Sequence, residues 1–218
     1  MTPFLALLPD PTTLAAFTLA AFLLIITPGP DMTLFVSRAI VHGRAAGVAT
    51  VIGTTLGLVC HTLLAGFGLS ALLAASPTAF AILKMVGALY LAWLAVEVIR
   101  HGSSLSTDQG AKEPMPLWRH VVAGLGINLL NPKIVIFFLT FLPQFVAVDD
   151  PLAGPRLMVL GGIYVVLGLP LCAAMALGAG GFAALLKTHR KAARLLDWAT
   201  ATLFASFAVR LLFARATP

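Results

Sequence analysis

Residues 20–36 read AAFLLIITPGPDMTLFV, and the fold turns on this stretch. Apolar residues flank Thr27-Pro28-Gly29-Pro30-Asp31 on both sides, so a run suited to hydrocarbon carries two prolines and a carboxylate at its middle. Proline lacks the backbone donor that a helix needs and clashes with the preceding turn. The span should therefore split into two half-helices. In hydrocarbon, the backbone groups freed by such a break must be buried in protein or face a wet cavity.

The same arrangement returns at residues 124–141, GLGINLLNPKIVIFFLTF, where Asn131-Pro132-Lys133 interrupts a second apolar run. Pro28 and Pro132 are 104 residues apart, and the same offset carries Gly57 onto Gly161. Matched breaks at corresponding points of two halves are the best sequence pointer to a midplane transport site. Unmatched prolines would be read as kinks for packing.

Composition agrees. Hydrophobic residues make up 60% of the 218 positions, charged residues 10%, and the mean hydropathy is +1.00. A soluble domain carries about 25% charged residues, so the chain reads as an all-α integral membrane protein forming a single transmembrane domain over 1–218. The apolar runs lack the period-two alternation of a membrane barrel. Cys60 and Cys172 sit in separate apolar runs without a CxxC pair, which implies neither a disulfide framework nor a metal site. The net charge of +6 is scattered among loops, so no nucleic-acid patch is expected.

A spanning helix needs about 20 mostly apolar residues. Six candidates follow: 13–37, 45–68, 77–99, 119–143, 156–180 and 196–214. The polar stretch 100–118 separates repeat 1 (1–99) from repeat 2 (119–218), an inverted three-plus-three arrangement with helices 1 and 4 broken. No lysine or arginine precedes Arg38, so the first span lacks the basic n-region of a secretory signal and should be retained. Nine of the fourteen basic residues fall in loops one, three and five. The positive-inside rule then makes 100–118 cytoplasmic and both termini extracytoplasmic.

Each break also has the chemistry of a helix start. Thr27 or Gly29 can cap, with Pro28 or Pro30 in the first helical position, and Asn131 can cap ahead of Pro132. Half-helix N-termini carry partial positive charge that suits a carboxylate. Asp31 and Lys133 are ionisable groups near mid-bilayer, where such groups normally mark a pathway. Asp31 can bind a substrate ammonium or a proton, and Lys133 a carboxylate. Alternatively the two form a static ion pair, or Asp31 only neutralises its own half-helix. His61, mid-span in helix two, is either a packed hydrogen-bonding residue or a proton carrier. Gly53 and Gly57 form a GxxxG pair for close helix approach, inside the bundle or across a dimer.

TPGPD in span one, GRAAGVATVIGTTLGLVCH at residues 43–61 and NPK in span four together resemble the LysE/RhtB family of amino-acid exporters. The likeness extends over nearly the whole chain. It implies proton-driven export of amino acids or their derivatives from a bacterial inner membrane, without a cofactor, and it also implies homodimers. By motif, Pro28, Gly29, Pro30 and Asp31, with Asn131, Pro132 and Lys133, would line the substrate site, which Thr27 of the same TPGPD stretch joins. Asp31 and His61, the deep groups with protonation chemistry near neutral pH, are the candidates for a proton relay. Thiol–disulfide carriers of the wider superfamily place cysteines near the prolines, whereas here both breaks lack one. A metal-cation exporter would want more ligands than Asp31 and His61. No GxxxxGK[ST] loop for ATP occurs, so an ion gradient is the expected energy source: protons, with sodium as the runner-up because unwound carbonyls can coordinate it.

Overall fold

Asp10 starts the first helix: its side chain accepts from the backbone N–H groups of Thr12 and Thr13, both at 3.0 Å, and Pro11 takes the first helical position. The computed structural model describes residues 7–69, 115–147 and 150–181, with isolated helical positions between 78 and 100 and between 191 and 209. All regular structure among them is helical. Helix α1 (Pro11–Ile26) ends at Thr27, and α2 (Pro30–His42) begins after an extended Gly29. The two are bent by 49° and together are long and apolar enough to be one broken span.

Gly43, at φ 90°, turns the chain into α3 (Arg44–Leu63), a backbone conformation that favours glycine. A wider helical turn over Leu64–Leu69 extends α3. The second broken span joins α4 (Leu117–Leu129) to α5 (Pro132–Ile136), which continues as irregular helical turns to Phe145, with a 52° bend at the break. Helix α4 begins inside the stretch read as linker. Helix α6 (Ala153–Leu177) and the segment Arg44–Gly68 are single helices able to cross a membrane.

Four of the six expected spans are thus seen as helices. Most of spans three and six, and most of 100–118, lies outside the described residues; among their described positions, Ala88 and Ala201 are buried in the main core. Proline alone does not break a span: Pro170 lies within α6, which runs on past it. The broken spans differ in having Gly29 or Asn131 beside the proline, residues that cap a new helix.

The two broken spans run antiparallel. Asp31 at the start of α2 meets Asn128 at the end of α4, while His42 and His120 at the opposite ends of those helices have ring centroids 5.2 Å apart. Likewise Lys133 at the start of α5 meets Thr27, and Phe145 lies against Phe17 at 5.2 Å. Helix α3 packs closely on α4 through glycines. A methyl group on Gly53 would collide with the Val121 carbonyl, one on Gly124 with the Thr50 carbonyl, and one on Gly57 with the Asn128 side chain. The GxxxG pair therefore serves packing inside the bundle. Buried Thr50, Thr54 and Thr62 return their hydroxyls to carbonyls of their own helix, so they add no unpaired polar group.

An aromatic cluster of Phe17, Phe137, Phe138, Phe141 and Tyr164 fills the space beside the breaks. Large apolar side chains such as Leu19, Phe67 and Val166 are more than 60% exposed, an outer surface suited to lipid and not to water.

Candidate functional site

The two breaks interlock, with Thr27, Asn128 and Asn131 buried. Asn131 caps α5, its side-chain oxygen accepting from the Lys133 backbone N–H at 3.0 Å. That leaves its amide nitrogen free to donate to Asp31 Oδ1 at 2.9 Å, while Asn128 Nδ2 donates to Asp31 Oδ2 at 2.6 Å. Both oxygens of the carboxylate are thereby held by one broken span while its backbone belongs to the other. Such charge-assisted bonds fix orientation as well as compensating burial.

The exchange runs the other way through Lys133. Its ammonium donates to the carbonyls of Leu24 at 3.1 Å and Thr27 at 2.9 Å. An unbroken helix would bond the Leu24 carbonyl to the N–H of residue 28, which is proline and has none. Thr27 closes the end of α1, its N–H and hydroxyl both donating to the Leu23 carbonyl at 3.1 and 2.6 Å. The static Asp31–Lys133 ion pair weighed from sequence is not formed. Each group is satisfied by polar atoms of the opposite break, and Arg156–Asp150, at the start of α6, is the ion pair seen among the described residues.

Between them lies a cavity of about 40 Å³, space for about three waters. Thr27, Asp31 and Lys133 line it together with Asn128, Thr54, Tyr164 and Cys172, and its remaining wall is apolar, with Leu24, Ile25, Met32, Phe35, Leu58 and Ile134. Lysine has three N–H donors, of which two are used by Leu24 and Thr27, so the third can serve the cavity.

The other residues expected at the site shape it from behind. Pro30 and Pro132 are exposed at the starts of α2 and α5. Pro28 and Gly29 form the link between half-helices, and Gly29 matters for space: a Cβ there would stand 3.2 Å from the Lys133 ammonium and 3.4 Å from its Cε. His61 does not line the cavity. Its Nε2 lies 3.4 Å from the backbone carbonyl of Asn128, the residue whose side chain holds Asp31, and its ring stacks on Phe138 at 5.5 Å.

Sequence reasoning missed Asn128, Tyr164 and Cys172. Asn128 carried a readable signal, since it lies three residues before Asn131 and so one helical turn away. Cys172, read from sequence only as outside any disulfide framework or metal site, is a free thiol at the cavity, whereas Cys60 is exposed on α3.

The family model for LysE type translocators matches residues 22–215, which include both breaks and the cavity. The chain belongs to the LysE type translocator family. It is a transporter and not an enzyme. A leucine efflux protein of Enterobacter sp. (strain 638) is 27% identical over 89% of this chain and 92% of its own length. A homoserine/homoserine lactone efflux protein of Salmonella typhimurium is 33% identical over 62% of this chain and 66% of its own. An uncharacterized membrane protein of Vibrio cholerae is 34% identical over 67% of this chain and 70% of its own. No solved structure matches the chain.

Proposed function

We propose that this translocator is a secondary-active exporter of amino acids or amino-acid derivatives across the bacterial inner membrane, coupled to protons as an antiporter. The observation that carries the reading is the cavity at the interlocked breaks, where a carboxylate and an ammonium share one small space with an apolar wall. An amino acid has the complementary groups. Its ammonium would take the place of a proton on Asp31, its carboxylate would meet the remaining Lys133 N–H, and its side chain would lie against Met32, Phe35 and Leu58. The leucine and homoserine efflux proteins among the relatives support that substrate class.

Six spans in an inverted three-plus-three repeat, with both termini extracytoplasmic, belong to this proposal. The antiparallel crossing of the two broken spans supports it, because spans one and four of such a repeat must run in opposite directions. Export then requires the cavity to enlarge and open to either side in turn, since about 40 Å³ does not hold a leucine-sized molecule. Packed glycine contacts between α3 and α4 suit a rigid unit against which the broken spans can move. Dimer formation is expected from the family and plays no part in the site described.

Proteoliposomes loaded with leucine, homoserine or lysine provide the test. An imposed pH gradient should drive movement of at least one of them without sodium, and a protonophore should collapse it. Movement that ignores the pH gradient would remove the proton coupling, and failure to move any amino acid across a full panel would remove the exporter reading.

A further inference from the structure

The end of α1 is a cation site already filled by the protein itself. Pro28 deprives the Leu24 carbonyl of its helical donor, and the Leu24 and Thr27 carbonyls converge on one point, the Lys133 ammonium, within 3.1 Å. A helix C-terminus also carries partial negative charge. Severed half-helix ends of this kind coordinate sodium in ion-coupled carriers. Here the place is taken by Lys133, reaching across from the other broken span. Its path runs over Gly29, where a side chain would crowd the ammonium. A charged amine at this depth is expensive in itself, so its occupation of the carbonyl pair calls for a purpose beyond packing.

We propose that the Lys133 ammonium is a tethered monovalent cation standing in the sodium position at the severed end of α1, and that the carrier is therefore indifferent to sodium. The inference rests on the carrier reading and specifies its coupling. The tether keeps the carbonyl pair compensated in every state, which leaves Asp31 as the group that exchanges its cation. It also makes Lys133 a positioning residue for α1, in addition to any contact with substrate. Truncating the side chain should uncover a vacant site for a small monovalent cation.

The test measures thermal unfolding of purified wild type and Lys133→Ala in chloride salts of sodium, methylammonium and choline at equal ionic strength. A cation that binds only the folded state raises its midpoint in a saturable way. Wild type should unfold at one temperature in all three salts. Lys133→Ala should unfold several degrees lower in choline and recover in sodium or methylammonium. Equal midpoints for Lys133→Ala in every salt, or a sodium-dependent midpoint for wild type, would overturn the proposal. Should Lys133→Ala fail to purify in choline, recovery of folded protein in sodium supports the tether. If it fails in both salts, Lys133→Gln decides, because its shorter, neutral side chain leaves the two carbonyls without a cation. A sodium-independent midpoint in that variant overturns the tether, and a sodium-dependent midpoint supports it. These readouts do not require transport, so a protein that moves no amino acid would sink the exporter reading and leave this result standing.

Discussion

Asn128 on α4 donates to Asp31 on α2 across 2.6 Å, and the Asn128 side chain is itself pressed against the bare Cα of Gly57 on α3. Three helices are therefore adjusted to one carboxylate. A glycine on α3 makes room for the amide, the amide orients the acid, and the acid faces the cavity. Each of these links can be broken separately.

Asp31→Asn should abolish transport while the protein still inserts and purifies. The substitution keeps the size of the group and removes the charge that an ammonium or proton would neutralise. Because Asp31 and Lys133 are not paired with each other, the double variant Asp31→Asn/Lys133→Gln should remain inactive. Wild-type rates for the single variant, or recovery in the double one, would contradict the arrangement.

Asn128→Ala removes one of the two amides holding Asp31. A hydrogen bond to a charged group contributes about 1.5–3 kcal/mol, so if that orientation is needed for the transport cycle the rate should fall roughly 10- to 100-fold. Initial rates under an imposed pH gradient check this, and a change of less than twofold would show that Asn131 alone suffices.

Gly57→Ala should impair transport through packing alone, since the added methyl meets the Asn128 side chain. Overpacking of this kind costs about 1–3 kcal/mol. Gly126→Ala, on α4, is the control: nothing lies within 4 Å of a Cβ built there. The thermal midpoint and transport of Gly57→Ala should both drop while those of Gly126→Ala stay near wild type. Equal behaviour of the two would detach Gly57 from the site.

Thiol labelling separates the two cysteines. Cys172 lines the cavity and Cys60 is exposed on the outer face of α3. A small membrane-permeant thiol reagent should inhibit wild type and Cys60→Ala, and leave the rate of Cys172→Ala unchanged from that variant's untreated value. Continued inhibition of Cys172→Ala would mean that the reagent acts elsewhere.

Topology follows from charge. Reporter fusions at residue 110 and at the C-terminus should report opposite sides of the membrane, with residue 110 cytoplasmic. Both reporters on one side would remove the six-span arrangement and the inverted repeat with it.

By itself the sequence determined the membrane class and the positions of the two breaks, because both rest on local physics. Continuous apolar runs must avoid water, and Pro28, Pro30 and Pro132 lack the donors that an unbroken helix requires. It also determined which residue caps the second break, since Asn131 acts on the backbone immediately after it. What Asp31 and Lys133 bind was decided by tertiary structure. Opposite charges near two matched breaks suggest an ion pair on sequence grounds, yet partner choice depends on how two antiparallel bent spans cross. That crossing sets Lys133 over the carbonyls of Leu24 and Thr27, more than 100 residues away in sequence, and brings Asn128 and Asn131 to Asp31. Tyr164 and Cys172 join the cavity for the same reason. Their helix α6 reads from sequence as a plain apolar span, and only its packing beside the breaks turns that face toward the cavity.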